Sequence, residues 1–150
     1  CNSIKEHVAE HGKPEKLVLS YHGMPKHFLD SGDPYYCFCH KTTQLVVQQL
    51  GLSKDEYSMT FQSRFGKAEW LKPYTDASLT ELAQAGVKHV AVISPAFSAD
   101  CLETLEELVH ENKDIFIQAG GEQYHYISAL NDRDDHCQLI SELIQQQLKS

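Results

Sequence analysis

His89-Val90-Ala91-Val92-Ile93-Ser94-Pro95 decides the architecture. Four consecutive apolar residues, three of them β-branched, read as a buried strand, and Pro95 stops it because proline brings no N–H to a ladder. Downstream, residues 100 to about 118 read as a long helix with Leu102, Leu105, Leu108 and Val109 on its apolar stripe, broken by Gly120-Gly121. A strand from Tyr124 to Leu130 and a helix from Asp134 to Leu148 follow, the helix apolar at Leu139, Ile140, Leu143, Ile144 and Leu148. Upstream, Leu17-Val18-Leu19-Ser20-Tyr21 and Tyr57-Ser58-Met59-Thr60-Phe61-Gln62 read as strands. A helix from about Cys39 to Leu50 closes at Gly51, and another runs from Thr75, as N-cap, to Ala85 before Gly86. Cys1 to Gly12 reads as a polar helix without the apolar core of a signal peptide.

Strand–helix alternation repeated four times implies an α/β fold. The expected form is three layers, an open parallel sheet of about four strands with helices on both faces, as one domain over 1–150. In such sheets ligands bind beyond the carboxyl ends of the strands. The two long aperiodic segments, 23–36 and 63–74, both follow strands.

Composition sets the outer limits. The 150 residues are 41% apolar and 23% charged, ordinary for a folded domain, and the net charge is −8. An acidic chain without a Lys/Arg cluster is a poor match for nucleic acid or an anionic membrane. No apolar run approaches the roughly 20 residues a membrane span needs, which leaves peripheral membrane contact open. Five cysteines at irregular spacing make a poor disulfide framework and suit reduced thiols in a cytoplasmic protein. Cys37-Phe38-Cys39-His40 could seed a metal or iron–sulfur site, but no second closely spaced pair completes it.

The strand ends carry the chemistry. His22 follows the first strand directly, with Gly23 and Pro25 fixing the turn behind it; it is either a hydrogen-bonded strand-end histidine or a ligand. Nine histidines are many for this length, yet only His22 sits where chemistry is expected; the other eight show no readable arrangement. After the third strand, Asp100 and Glu103 match a capping box. Glu103, Glu107, Glu111 and Asp114 then fall in one helical row, either a solvated acidic face or a carboxylate ladder for a divalent cation. An imidazole facing a carboxylate suits Fe(II), Zn(II) or Mn(II), or serves as base and proton relay. The loop Gln62-Ser63-Arg64-Phe65-Gly66 with Trp70-Leu71-Lys72-Pro73-Tyr74 is either a packed loop anchored by Trp70 or a wall for a flat aromatic ligand.

Three segments taken in order resemble one family. They are Ser20-Tyr21-His22-Gly23-Met24-Pro25 with Gly32-Asp33-Pro34-Tyr35, the Phe61–Asp76 loop just described, and Pro95-Ala96-Phe97-Ser98-Ala99-Asp100-Cys101-Leu102-Glu103-Thr104-Leu105-Glu106-Glu107. Together they resemble ferrochelatase in its Gram-negative bacterial form, and they cover only the C-terminal half of a family chain. The resemblance implies insertion of Fe(II) into protoporphyrin IX to give protohaem. It implies His22 and Glu103 as catalytic and metal-binding residues, with Asp100, Glu107 and Glu111 as a secondary acidic path. Tyr21, Met24, Gln62, Ser63, Arg64 and Trp70 are then candidates for the porphyrin loops. The implied partners are protoporphyrin IX, ferrous iron as substrate, and the N-terminal half of the same enzyme, without which this half is expected to be inactive. Cys101 stands where some members have histidine. The absence of a cysteine-rich C-terminal extension argues against an animal-type [2Fe–2S] cluster, while Cys37 and Cys39 leave another arrangement open. The competing readings are a class II cobalt or iron chelatase acting on an earlier tetrapyrrole and a flavodoxin-like binding module. The latter calls for a Gly-rich phosphate loop, which His22-Gly23-Met24-Pro25 is not.

Overall fold

In a computed structural model that describes residues 1–149, the chain runs as follows. Helix α1 (Asn2–His11) precedes strand β1 (Lys16–His22), short helix α2 (Lys26–Asp30) and helix α3 (Tyr35–Leu50). Strand β2 (Tyr57–Gln62), helix α4 (Thr75–Gln84) and strand β3 (His89–Ile93) come next. A π-helical segment (Thr104–Glu111) continues into α5 (Asn112–Gln118), followed by strand β4 (Gln123–Ile127) and helix α6 (Asp134–Lys149). All strands are parallel in the order β2-β1-β3-β4. The expected open four-stranded sheet is the fold, and its inner strands β1 and β3 are the two that read as continuous apolar runs.

Two cores flank the sheet. On one side Leu17, Leu19, Tyr21, Phe61, Ala91 and Ile93 pack with Ile4, Cys39 and the partly buried Val8, Leu29 and Val46, which belong to α1, α2 and α3. On the other side Val18, Val90 and Val92 meet Leu79, Ala83, Leu108 and Phe116 from α4, the π segment and α5. The period-2 alternation of β1 divides its side chains between these cores.

Several local expectations change. Helix α3 begins four residues earlier than Cys39, where the Asp33 carboxylate accepts the Tyr35 N–H at 2.8 Å. Thr75 is the first helical residue rather than the N-cap. Its hydroxyl is buried in a chain of polar contacts, 2.8 Å from Ser20 Oγ and 2.9 Å from Thr60 Oγ1. Strand β4 ends at Ile127 because the chain then turns toward Asp100, to which Ala129 donates its N–H. Cys39 lies in the core while Cys37 is exposed, so the two thiols do not share a face.

Helix α6 forms where expected, but its apolar stripe is exposed. Leu139, Ile140, Leu143, Ile144 and Leu148 are 44–81% exposed. It is held at its first turn, where His136 is buried with Nδ1 2.8 Å from the Asn131 carbonyl and Arg133 bridges Glu6 and Asp135.

Candidate active site

Strand β1 delivers His22 to the carboxyl edge of the sheet, opposite Gln62 of β2. Its Nδ1 lies 2.6 Å from the Gly23 carbonyl oxygen. A carbonyl only accepts, so Nδ1 is the donor, and in the neutral ring Nε2 is the nitrogen with a lone pair for a metal or a proton. The backbone carbonyl of His22 in turn accepts the Tyr35 hydroxyl at 2.8 Å. Phe97 and Trp70 stand 6.1 and 6.4 Å from the imidazole, centre to centre.

The turn behind His22 requires glycine. A Cβ on Gly23 would lie 2.8 Å from the Gln62 carbonyl oxygen and 2.9 Å from the Trp70 ring. This close approach lets the Gly23 N–H donate to Gln62 at 2.8 Å and pins the aromatic loop to the strand end. Lys26 N–H to Glu69 and Leu71 N–H to the Met24 carbonyl complete the attachment. Trp70 is 5% exposed, which favours its reading as the loop's anchor. Phe65, edge-on to Trp70 at 5.1 Å and 74% exposed, is the aromatic side chain this loop presents outward.

A cavity of about 470 Å³ joins His22, Ser63, Arg64 and Phe65 to Glu103, Glu106, Glu107 and Glu111. Residues from the ends of β1 and β2 and from the helix after β3 therefore face one space, although 81 positions separate His22 from Glu103. Glu106 lies outside the acidic row read from the sequence, yet its i,i+3 spacing from Glu103 puts it on the same side of the helix. Beside this cavity a smaller one of about 190 Å³ is lined by Gln62, Asp76 and Asn112 among others, and Ser63, Arg64, Glu107 and Glu111 line both cavities as their shared wall. The carboxylates sit on or just before the π-helical segment, a rare backbone form that recurs at functional sites.

The acidic residues have unequal surroundings. Ser63, held at φ 65°, points its N–H at both Glu107 oxygens (2.9 and 3.1 Å) and its hydroxyl at one (3.2 Å). Burial nevertheless raises the Glu107 carboxyl above its ordinary range, and neighbouring Glu111 and Asp76 add to the rise. Asp100 is different. Burial alone would raise it, but Asn131, Tyr126, the Ala129 N–H and Thr104 all donate to it and together hold it below the usual carboxylate range. It neither caps the following helix through its side chain nor lines either cavity. Asp114, the last member of the acidic row, lines neither.

The remaining loop candidates separate. Tyr21 is a core residue, 1% exposed, its hydroxyl 2.9 Å from Thr43 Oγ1 and its pKa pushed up to about 12 by burial. Gln62 is buried beneath the cleft, its oxygen accepting Ser20 and Ser94 hydroxyls, its Nε2 without a hydrogen-bond partner. Met24 packs against the first core. Arg64 lies at the rim, its guanidinium 4.2 Å over the Tyr74 ring and 3.6 Å from Asp76.

The molecule is thus an α/β domain built on an open parallel sheet, with an imidazole and a bank of carboxylates across the carboxyl edge where such sheets bind ligands. The family model for ferrochelatase matches residues 1–148, and the chain belongs to the ferrochelatase family. Ferrochelatase 2 of Shewanella oneidensis is 64% identical over 143 residues, covering 95% of this chain and 44% of the relative. Ferrochelatase of Hydrogenovibrio crunogenus is 60% identical over 149 residues, covering 99% of this chain and 39% of the relative. The chain thus spans about two fifths of the length of these curated relatives. Among solved structures, a cobalamin (vitamin B12) biosynthesis CbiX protein from Marinobacter aquaeolei superposes with a TM-score of 0.58 at 15% identity. That comparison covers 91% of this chain and 98% of the other, and it bears on the fold alone.

Proposed function

We propose that this chain carries the metal-inserting face of a ferrochelatase: His22 and Glu103 act as the metal-ligand and proton-acceptor pair that places Fe(II) in protoporphyrin IX. The observation that carries the reading is the shared cavity of His22, Glu103 and Glu106. Insertion releases two pyrrole protons for each cation bound, so the face opposite the macrocycle must hold a dication and accept protons. His22 has one available lone pair, on Nε2. At any moment it holds either the metal or a proton, and the Glu103 carboxylate takes the other task. Glu107 and Glu111, on the wall between the two cavities, lead cation or proton away along the helix. A planar porphyrin shields its nitrogens, so binding energy from its periphery is best spent on distorting it. Phe65 and Arg64 at the rim are the side chains placed to meet a ring face and a carboxylate.

The rest of the cleft is proposed to come from the N-terminal half of the full-length enzyme. Two findings support this: the relatives are more than twice as long, and the stripe of α6 is uncovered. No helix of the described residues is long and apolar enough to cross a membrane. The test is a metallation assay with Fe(II) or Zn(II) on this chain and on a version restored to full length. Turnover by the full-length protein with little or none by this chain supports the proposal. No turnover by a folded, porphyrin-binding full-length protein contradicts it.

A further inference from the structure

Four histidines that showed no pattern in the sequence lie together in the fold. His7 and His11, spaced i,i+4 on α1, have ring centres 4.6 Å apart. His125 of β4 lies 5.1 Å from His7 and 4.8 Å from His11, and His89, the first residue of β3, lies 5.3 Å from His125. The cluster is far along β3 from the Ser94-Pro95 end that faces the cleft. His7 Nε2 and His89 Nε2 are buried there without a hydrogen-bond partner. An orphaned buried nitrogen is costly, which points to a missing partner. The charged groups around the cluster are Glu10, 3.8 Å from His11, Glu15, which accepts the His89 N–H at 3.0 Å, Glu6 and Arg133, which line the same groove as His7 and His11, and Lys113, whose charge acts on His125.

We propose that His7, His11 and His125, with His89 beside them, form a binding site for one divalent transition-metal ion of the imidazole-seeking class, such as Zn(II) or Ni(II). Spacing is the main argument. A tetrahedral ion holds imidazole nitrogens at about 2.0–2.1 Å, and with the ring centre about 1.2 Å beyond, neighbouring ligand rings sit about 5 Å apart. The His7–His11–His125 triangle has that dimension on all three sides. The ring pairs are tilted, edge-on and stacked, and among the described residues no group of three is arranged to hold a metal ion as it stands. Taking an ion therefore requires the rings to turn about their side-chain torsions. Burial pushes His7 and His125 below the ordinary histidine range and the neighbouring imidazoles push further, which favours the neutral form a metal needs. An ion here would tie α1 to the edge strand β4, separately from the substrate metal in the cleft.

The test is calorimetric titration of Zn²⁺ and Ni²⁺ into the protein near neutral pH, using the unaltered chain, His11→Gln, His125→Gln and His22→Ala. The expected result is a binding event that persists in His22→Ala, with its affinity falling about tenfold or more in each Gln variant. Should a Gln variant lose its fold, ring resonances of His7, His11 and His125 in the unaltered protein are read instead, and all three should shift on adding Zn²⁺. Equal affinity in the unaltered and both Gln variants, binding lost only in His22→Ala, or unmoved ring resonances would overturn the site.

Discussion

Asp100 and Glu107 stand seven residues apart in the same acidic stretch, yet the fold gives them opposite surroundings. Asp100 is encircled by donors from Asn131, Tyr126, Ala129 and Thr104, and its carboxyl is held low. Among the described residues Glu107 receives donors from Ser63 alone, stands beside Glu111 and borders two cavities; its carboxyl is raised. A carboxylate whose lone pairs are filled by the protein ties two loops together. One left half-satisfied at a cavity wall is able to exchange a proton or a cation. Asp100, just ahead of the acidic row, is therefore a staple, while Glu107 within the row belongs to the cavity wall of the proposed site.

The comparison can be broken by substitution. The largest effect belongs to Glu103→Gln in the full-length enzyme: insertion should fall about 100-fold or more while the melting temperature barely moves, since Glu103 is exposed at the cavity. Loss of stability without loss of turnover per folded molecule would move Glu103 to the structural class. Next, Asp100→Ala should cost about 1–3 kcal/mol in chemical denaturation, because it orphans several donors, with insertion per folded molecule retained. The sign with pH follows from a folded pKa below the unfolded one. Asp100's contribution is present above the ordinary carboxylate value and is lost as pH falls through the depressed one. In acid titrations Asp100→Asn should thus lose part of the low-pH drop in stability; an unchanged curve would refute the staple. The smallest effect is expected from Glu111→Gln, under about tenfold in insertion rate, or within about 1.4 kcal/mol. A loss matching that of Glu103→Gln would make the row one functional unit.

Much of this was legible beforehand, for physical reasons. The apolar runs of β1 and β3 specify strands buried on both faces, and alternation with helices leaves a parallel sheet. That sheet brings His22 and Glu103 to one edge without any knowledge of side-chain contacts. What stayed hidden depends on long-range partners. Asp100 reads as an N-cap because its local spacing is that of a capping box; Tyr126 and Asn131, which claim it, lie 26 and 31 residues on. Tyr21 adjoins His22, but strand alternation turns it into the core. The π-helical turn has no signature in side-chain periodicity. The histidine cluster needs α1, β3 and β4 assembled before it exists. Helix α6 shows the reverse: its stripe is plain in the sequence, and among the 149 described residues it stays exposed.

The central claim is that His22 Nε2 acts directly on the incoming metal or the departing proton. It is tested most directly by His22→Ala in the full-length enzyme, following insertion of Fe(II) and, in parallel, porphyrin binding by fluorescence quenching. The account predicts insertion reduced about a thousandfold or more with porphyrin affinity retained. Near-normal insertion in that variant would contradict it.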